Sequence, residues 1–578
     1  MTTLIRGGLV VDGTGAEGCH ADVLVEDGFV TGIGPDLAAP EGCTVLDAGG
    51  CWVTPGFIDL HTHYDAELEF DPALVESVRH GVTTVLIGSC GLSFALGEPE
   101  DLADMFCRVE GVPRAEVLPM LERVQDWDDP KGYLDHLDRL PLGPNVCSFL
   151  GHSALRAHVM GLGRSLSAQE RPTPAELDQM SGMLAEALDV GYLGLSINTL
   201  PWDKMDGDRF RSLPTPSVFA TWKEYRRLGE VLRARDAVLE GVPDISARWN
   251  LLLFGAIASG IGRRPLRTSI ISLMDVKAAP GSYRVFAGAA SFARRWLRAD
   301  VRLQALPQPF RLWTDGLENP VIEEIGAGTE ALHLAGRARR ELLSDPAYRA
   351  RFRKQWTNKF KGRAYHRDLA EARIIECPDR TVVGLTFADV ARARHADRVE
   401  TFLDLAAEHG NALRWTTTVG NTNEDAVAWI VDQPQAQIGF SDAGAHLRNM
   451  AFYNFPLHLL RLVHRRERAG RPVMPLGRAV HRVTGELADF LGVEAGRLQV
   501  GARADIAVID PTALDDRVDE VAEVPMPGIE SVQRLVNRGD GAVRAVLVNG
   551  RLAWGADGRA DDFGVRHGYG KVLRSAPR

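Results

Sequence analysis

Phe57-Ile58-Asp59-Leu60-His61-Thr62-His63 is an apolar run that ends in two histidines two residues apart. In a strand, successive side chains alternate between faces, so His61 and His63 point the same way and Thr62 points away. Two imidazoles on one face at the end of a buried strand can grip one metal ion. Val53-Thr54-Pro55-Gly56 leads into this run as a turn, and the run itself reads as covered on both sides. An HxH pair alone is a weak signal, because surface strands carry such pairs by chance, so its meaning rests on the rest of the chain.

At 578 residues the chain exceeds one ordinary core, and two domains with insertions are expected. No uninterrupted apolar run spans a bilayer, and residues 1–12 lack the charged-then-apolar design of a signal segment. A cytoplasmic protein without membrane contact is therefore expected. The net charge of −11 argues against nucleic acid as a partner. The seven cysteines (19, 43, 51, 90, 107, 147 and 377) are odd in number and include no CxxC, so a disulfide framework is not expected.

The first fifty residues read as short strands broken by glycine: 4–11, 21–26, 29–33 and 44–47. Residues 504–510 and 543–549 alternate in the same way near the other end, with a turn at Asn549-Gly550. These two ends are expected to build one small β-sandwich domain, 1–54 with 490–578. Between them, residues 55–489 alternate short apolar runs with helical stretches. The expected strands are 53–60, 83–87, 146–150, 193–197, 237–239, 268–271, then either 301–306 or 414–418, and 436–440. Helical spacing over 174–190 and 219–235 fills two of the intervals. Eight such units point to an α/β fold, a (β/α)8 TIM-like barrel. Residues 308–385 fit no unit and read as an insertion, a lid or an oligomer contact.

In such a barrel, catalytic groups sit at the C-terminal ends of strands. The first strand delivers His61 and His63. The second ends in Gly88-Ser89-Cys90-Gly91-Leu92, where a reachable cysteine beside a divalent ion would ionise. The last delivers Ser441-Asp442-Ala443-Gly444-Ala445-His446, with Asp442 placed to bind metal and shuttle a proton. Each has a plainer alternative: Cys90 as packing, Asp442 as a helix cap. Three strand ends of one barrel carrying metal-type groups make the plainer set the weaker account.

These segments resemble the amidohydrolase superfamily, within it the N-acyl-D-amino-acid deacylase (D-aminoacylase) branch. The likeness extends through Gly151-His152-Ser153-Ala154-Leu155-Arg156, Gly194-Leu195-Ser196 and the 496–505 segment Gly-Arg-Leu-Gln-Val-Gly-Ala-Arg-Ala-Asp, and is weakest over 240–415. It implies a metal-dependent hydrolase of non-peptide carbon–nitrogen bonds, acting on a small amide with zinc as the ion. A homo-oligomer is also implied. His61, His63, Cys90 and Asp442 match the family's ligands for one metal position. The family adds a histidine from strand five and another from strand six, and here both are missing: no histidine lies between His158 and His333. In their place stand Ala237-Val238-Leu239-Glu240-Gly241 and Leu273-Met274-Asp275-Val276-Lys277.

Three outcomes follow. Glu240 and Asp275 supply oxygen ligands and admit Mn²⁺ beside Zn²⁺; or one ion alone is held, the favoured case; or the metal is lost and the fold serves another reaction. His152 is a candidate oxyanion donor or a helix cap. Arg448, His446 and Lys277 are candidates for binding substrate, a guanidinium being suited to a carboxylate. Trp202 reads as packing. The leading expectation is hydrolysis of an N-acyl amino acid with Asp442 as general base. The rivals are a tailoring enzyme that opens, closes or isomerises a cyclic amide or imine, and a catalytically lost binding subunit.

Overall fold

Val53 to Leu60, expected as one strand, is two. Trp52–Pro55 belongs to a sheet built from the chain ends, and Phe57–Asp59 (β1) begins a parallel array. Gly56 makes the switch possible. A Cβ there would stand 2.0 Å from Thr83 Oγ1, so only glycine lets the chain cross so close to the next strand. The computed structural model describes residues 2–244, 249–358 and 363–575.

The sheet of the chain ends has nine strands. From the start of the chain come Thr2–Val10, Cys19–Glu26, Phe29–Gly34, Thr44–Asp47 and Trp52–Pro55. From the far end come Ile506–Ile509, Val543–Val548, Arg551–Gly555 and Gly558–Arg559. The seam is the antiparallel pairing of Ile506–Ile509 with Trp52–Pro55, Val508 facing Val53. Ile5, Val10, Val23, Val25, Val53, Ile506, Val508 and Leu547 pack into one apolar cluster across that seam.

The middle of the chain forms a mixed α/β body around parallel strands. After β1 come Val82–Ile87 (β2), Asn145–Ser148 continued by Leu150–Gly151 (β3), Gly194–Asn198 (β4) and Val238–Val242 (β5). Arg267–Ile271 (β6), Asp300–Gln304 (β7) and Ala436–Gln437 (β8) complete the set. Each is paired in parallel to the next. Beyond β8, the Leu60 N–H donates to the Gly439 carbonyl (2.8 Å) and His63 N–H to that of Ala443 (2.7 Å), so the last segment returns to the first. Every residue of β2 and β5 is buried, as runs covered on both faces require. The helix Pro174–Asp189 starts on a capping box between Thr173 and Glu176, and Trp222–Ala234 is capped by Thr221.

Of the two stretches expected as alternatives for the seventh parallel strand, the first takes that place. Arg414–Gly420 is not parallel strand seven; it pairs antiparallel with Phe310–Asp315, and Arg373–Glu376 flanks it. Asp300–Gln304 takes the parallel position. The material between β7 and β8 thus forms its own small sheet and runs past the expected 308–385 to Gly420, with the helices Gly326–His333, Gly336–Ser344, Pro346–Trp356, Phe387–Ala393 and Arg398–His409. Among the described residues no helix is long and apolar enough to cross a membrane.

Two histidines are buried neutral. Burial, with the nearby Arg461 charge, lowers His458 to about 3. Burial and the charges of Arg79 and Arg538 hold His80 well below the usual range. The unfolded chain takes up protons on both near pH 6.5 that the folded chain refuses, so stability is lost as pH falls below that value, by about 1.4 kcal/mol per pH unit for each. We expect His458→Gln to narrow the difference in Tm between pH 7 and pH 5. An unchanged difference would remove His458 as an acid-sensitive element.

Candidate metal centre and its cavity

β1 ends at Asp59, and the two residues that follow Leu60 and Thr62 are the buried His61 and His63. Asp59 fixes this exit. It accepts from the His61 N–H (3.3 Å) and from the Ser441 hydroxyl, and Ala443 N–H donates to Ser441 Oγ (3.0 Å). Burial pushes the Asp59 carboxyl up to about 8. Across the same gap Asp442 N–H donates to the His61 carbonyl (3.2 Å). The histidines and Asp442 are therefore brought together by main-chain bonds as well as side chains.

Cys90 arrives from the turn after β2. Gly88 sits at φ +76°, where a Cβ would meet the Phe149 carbonyl oxygen at 2.2 Å, so this turn requires glycine. Its N–H donates to Asp65 Oδ2 (3.3 Å), its carbonyl accepts from Ser196 Oγ (2.6 Å), and Gly91 N–H donates to that same hydroxyl (2.9 Å). Cys90, Asp442 and His446 all have left-handed backbones, φ 55°, 59° and 50°. That conformation costs a non-glycine residue about 1–2 kcal/mol, and it concentrates where side chains must be aimed.

One ligand atom from each of His61, His63 and Cys90 lies within 4.8 Å of the others. Cys90 Sγ is 3.3 Å from His61 Nε2, and Asp442 Oδ1 is 3.6 Å from His61 Nε2 and 3.2 Å from His63 Nε2. Two imidazoles, a thiol and a carboxylate converging in a buried place are a donor set suited to a zinc-type ion, so the residues present fit a metal. Burial pushes the Cys90 thiol well up, against the pull of His63; a cation in contact would reverse that balance. Burial opposes charge on His63, but Glu110, Cys90 and Asp442 outweigh it and raise its pKa well above the usual value. Burial likewise works to raise Asp442, yet the hydrogen bond and charge of His63, with His446 and His61, hold its carboxyl below the usual range.

A carboxylate faces the far nitrogen of each imidazole. Glu240 Oε1 lies 3.4 Å from His61 Nδ1, and Glu110 Oε1 lies 3.1 Å from His63 Nδ1. These are ion-pair distances without an aligned hydrogen bond. Glu240, expected as a replacement ligand, thus stands behind His61, where its other oxygen accepts from Cys90 N–H (3.2 Å). Its place on β5 aims it at Nδ1, while the thiol and Asp442 gather on the Nε2 side. Asp275 is not drawn in either, since its carboxylate accepts from Gly281 N–H (3.3 Å) in the turn after β6.

Other candidates are placed differently from expectation. His152 is fully buried at the start of the helix His152–Met160. Ser217 Oγ lies 3.1 Å from its Nδ1 and Glu224 Oε1 3.1 Å from its Nε2. Arg156 clasps Glu224 as well, at 2.5–2.6 Å. With both ring nitrogens engaged, His152 has no free N–H for an oxyanion and is part of a packing network. Arg448 is held by Asp315 (2.6 Å) and Glu523, so its guanidinium is committed. Lys277 pairs with Glu371 and is absent from the cavity wall. His446 does face the site, its Nε2 3.8 Å from Asp442 Oδ2.

A cavity of about 560 Å³ opens beside the cluster, with His446, Asp203, Lys204 and Trp202 on its wall. Trp202, expected as packing, contributes to that wall. The segment between β7 and β8 supplies Asp315, Glu318, Glu323, His333 and Arg339 to the same wall. Asp203 accepts from Asn198, and burial pushes its carboxyl up to about 7. Glu110, Asp203 and Lys204 were not singled out from the sequence. For Glu110 one signal was present: it is the last residue of the helix Pro99–Glu110, where the helix dipole disfavours an acid.

The amidohydrolase family model matches residues 44–204. An uncharacterized protein of Mycobacterium tuberculosis strain H37Rv is 46% identical over 580 residues, covering 99% of this chain and 94% of that protein. An N-acyl-D-aspartate deacylase of Alcaligenes xylosoxydans xylosoxydans is 34% identical over 203 residues, 34% of this chain and 36% of the enzyme. Among solved structures, an N-acyl-D-glutamate deacylase from Bordetella bronchiseptica, complexed with zinc and a phosphonate inhibitor, superposes with a TM-score of 0.62. It is 24% identical over 99% of both chains, a likeness of fold. The chain belongs to the amidohydrolase family, in its D-aminoacylase branch, and is a hydrolase of carbon–nitrogen bonds other than peptide bonds.

Proposed function

We propose that the protein is a one-metal amide hydrolase acting on an N-acyl amino acid. The observation that carries this is the convergence of His61 Nε2, His63 Nε2, Cys90 Sγ and Asp442 Oδ1 beside a cavity of substrate size. In this reading the parallel strands close as a (β/α)8 barrel over residues 55–489, and residues 1–54 with 490–578 form the β-sandwich domain. His61, His63, Cys90 and Asp442 would hold the ion, and zinc is the ion found with the Bordetella bronchiseptica relative. When bound, the ion would supply Lewis acidity to the amide carbonyl and ease deprotonation of the attacking water.

The protein's own groups do the rest. Asp442 has the access: 12% of its side chain is exposed, whereas those of His61 and His63 are buried. The neighbouring imidazoles keep it ionised, and its exposed edge places it to accept the proton of the attacking water, then to deliver it to the leaving nitrogen. His446, 3.8 Å from Asp442 Oδ2, orients that carboxylate toward the cavity. Glu240 and Glu110, at ion-pair distance behind the two histidines, favour a proton on each Nδ1 and so leave Nε2 toward the ion. The place of Glu240 behind His61 and of Asp275 in a turn supports one ion over two.

Metal content measured by mass spectrometry on protein purified without chelator is expected at one zinc per chain, lost in His61→Ala. Two ions per chain, or none even after zinc is added, would sink the one-metal reading. Asp442→Asn is expected to cut kcat on N-acyl amino acids by about 100-fold or more while KM moves little; near-full turnover would remove Asp442 as the base. Glu240→Gln and Glu110→Gln are each expected to weaken zinc retention against a competing chelator by about 10–100-fold without changing stoichiometry. A stoichiometric loss on Glu240→Gln would make Glu240 a direct ligand instead.

A further inference from the structure

Five of the twelve large hydrophobic side chains exposed among the described residues lie on two successive helices or just past them. Leu252 belongs to the helix Trp249–Ala258, and Ile261 follows its end. Val285, Phe292 and Trp296 belong to the helix Ser282–Trp296. Each of the five is between 59% and 74% exposed, where a core residue would be covered. On the second helix they recur at i, i+7 and i+11 with the exposed Gly288 and Ala289 between them, which makes one stripe on a single face. The rings of Phe292 and Trp296 lie 6.4 Å apart along it. The opposite face is packed, with Tyr283, Ala287, Ala290 and Ala293 buried. This helix thus has two apolar faces, and the fold uses one of them. The two helix ends meet: Gly260 N–H (2.9 Å) and the Ser259 hydroxyl (3.1 Å) both donate to the Leu297 carbonyl. Ile261 and Trp296 are thereby brought to neighbouring positions, and apolar surface gathered in this way marks a contact face.

The same stretch is basic. Residues 245–299 hold nine Lys or Arg (248, 263, 264, 267, 277, 284, 294, 295 and 298) against one acid, Asp275, in a chain whose net charge is −11. Arg284 and Arg295 run along one flank of the stripe, and Arg294 and Arg298 stand at its C-terminal end, all four exposed. Among the described residues none of the four meets a carboxylate. Arg284 lies over the Trp429 ring (5.3 Å) and Arg295 over that of Trp296 (5.7 Å), contacts that keep the cations whole. We propose that this face docks on an anionic lipid surface, with the stripe entering the acyl boundary and the arginines meeting headgroup phosphates. A helix that shows Phe and Trp on its free face and arginine along the edge has the two terms such a surface rewards, apolar burial and attraction to anionic lipid. A second copy of the chain fits less well, because a two-fold contact through the patch would bring two basic rims together with no carboxylate between them. Docking of this kind needs neither the spanning run nor the signal segment whose absence suggested no membrane contact. It also leaves the cavity free, since none of the stripe residues or the four arginines is on its wall.

The test is flotation of the full-length protein with vesicles of phosphatidylcholine alone and of phosphatidylcholine mixed with phosphatidylglycerol, at low and at high salt. We expect the protein to float with the anionic vesicles only, and added salt to weaken the binding. Arg294→Gln with Arg298→Gln should lower partitioning by about 20- to 30-fold, at about 5-fold for each arginine near the surface. Phe292→Ser with Trp296→Ser should lower it by at least about 10-fold through lost apolar burial. Both double variants should keep the wild-type Tm closely, as substitutions at exposed positions do. No binding to anionic vesicles, equal binding to both kinds, or binding indifferent to both double variants would overturn the docking face. Sedimentation equilibrium tests the second copy. A dimer that falls to monomer in Phe292→Ser with Trp296→Ser would assign the face to self-association and overturn the lipid reading; the same oligomeric state in wild type and variant supports it.

Discussion

Main-chain pairing between the exit of β1 and the segment beyond β8 is the constraint on which the site depends. Leu60, His63 and Asp442 donate across this seam to Gly439, Ala443 and His61, and Asp59 and Ser441 bind beneath it. Backbone bonds of this kind leave little freedom, so the two imidazoles and the carboxylate approach one another in a single register. A slip by one residue would turn each side chain to the opposite face and scatter the cluster. The left-handed backbones of Cys90 and Asp442 are the local cost of this aim, and bonds to Glu240 and His61 offset it.

Charge is layered outward from that seam. At the centre are groups that favour a cation; behind them Glu110 and Glu240 face the outer nitrogens of the histidines. Beyond these the wall holds arginine–carboxylate contacts, Arg108 with Glu323, Arg339 with Glu318 and Arg448 with Asp315. Such pairs shape the cavity and offset one another's charge, although a guanidinium bound to one carboxylate keeps N–H donors to spare.

The segment between β7 and β8 gives the cavity a wall that the parallel strands do not provide. Its small sheet places Asp315 beside Arg414 and Arg448, its turns bring Glu318 and Glu323 to the rim, and its helices bring His333 and Arg339. Loops and inserted segments carry this work because they vary in shape while the strands beneath stay rigid. The same logic explains why sequence likeness to the deacylases is confined to about a third of the chain while the fold likeness extends over 99% of it.

The sequence by itself determined the elements with strict periodicity and the ligand-type residues at strand ends. The two sets of terminal strands, most of the parallel strands, and the grouping of His61, His63, Cys90 and Asp442 were legible because burial imposes a local pattern and because metal-type groups recur at three strand ends. Four things only the tertiary structure decided. Gly56 splits what reads as one strand, because the close approach of Thr83 is a contact between segments distant in sequence. Arg414–Gly420 joins the inserted sheet, because its partner Phe310–Asp315 lies a hundred residues away. Glu240 faces the far nitrogen of His61, since the side from which a carboxylate meets an imidazole is set by the approach of another strand. Arg448 and Lys277 are held by Asp315 and Glu371, because pairing depends on which carboxylates the fold brings within reach. Local pattern is written along the chain; partner choice between distant charges is written only in space.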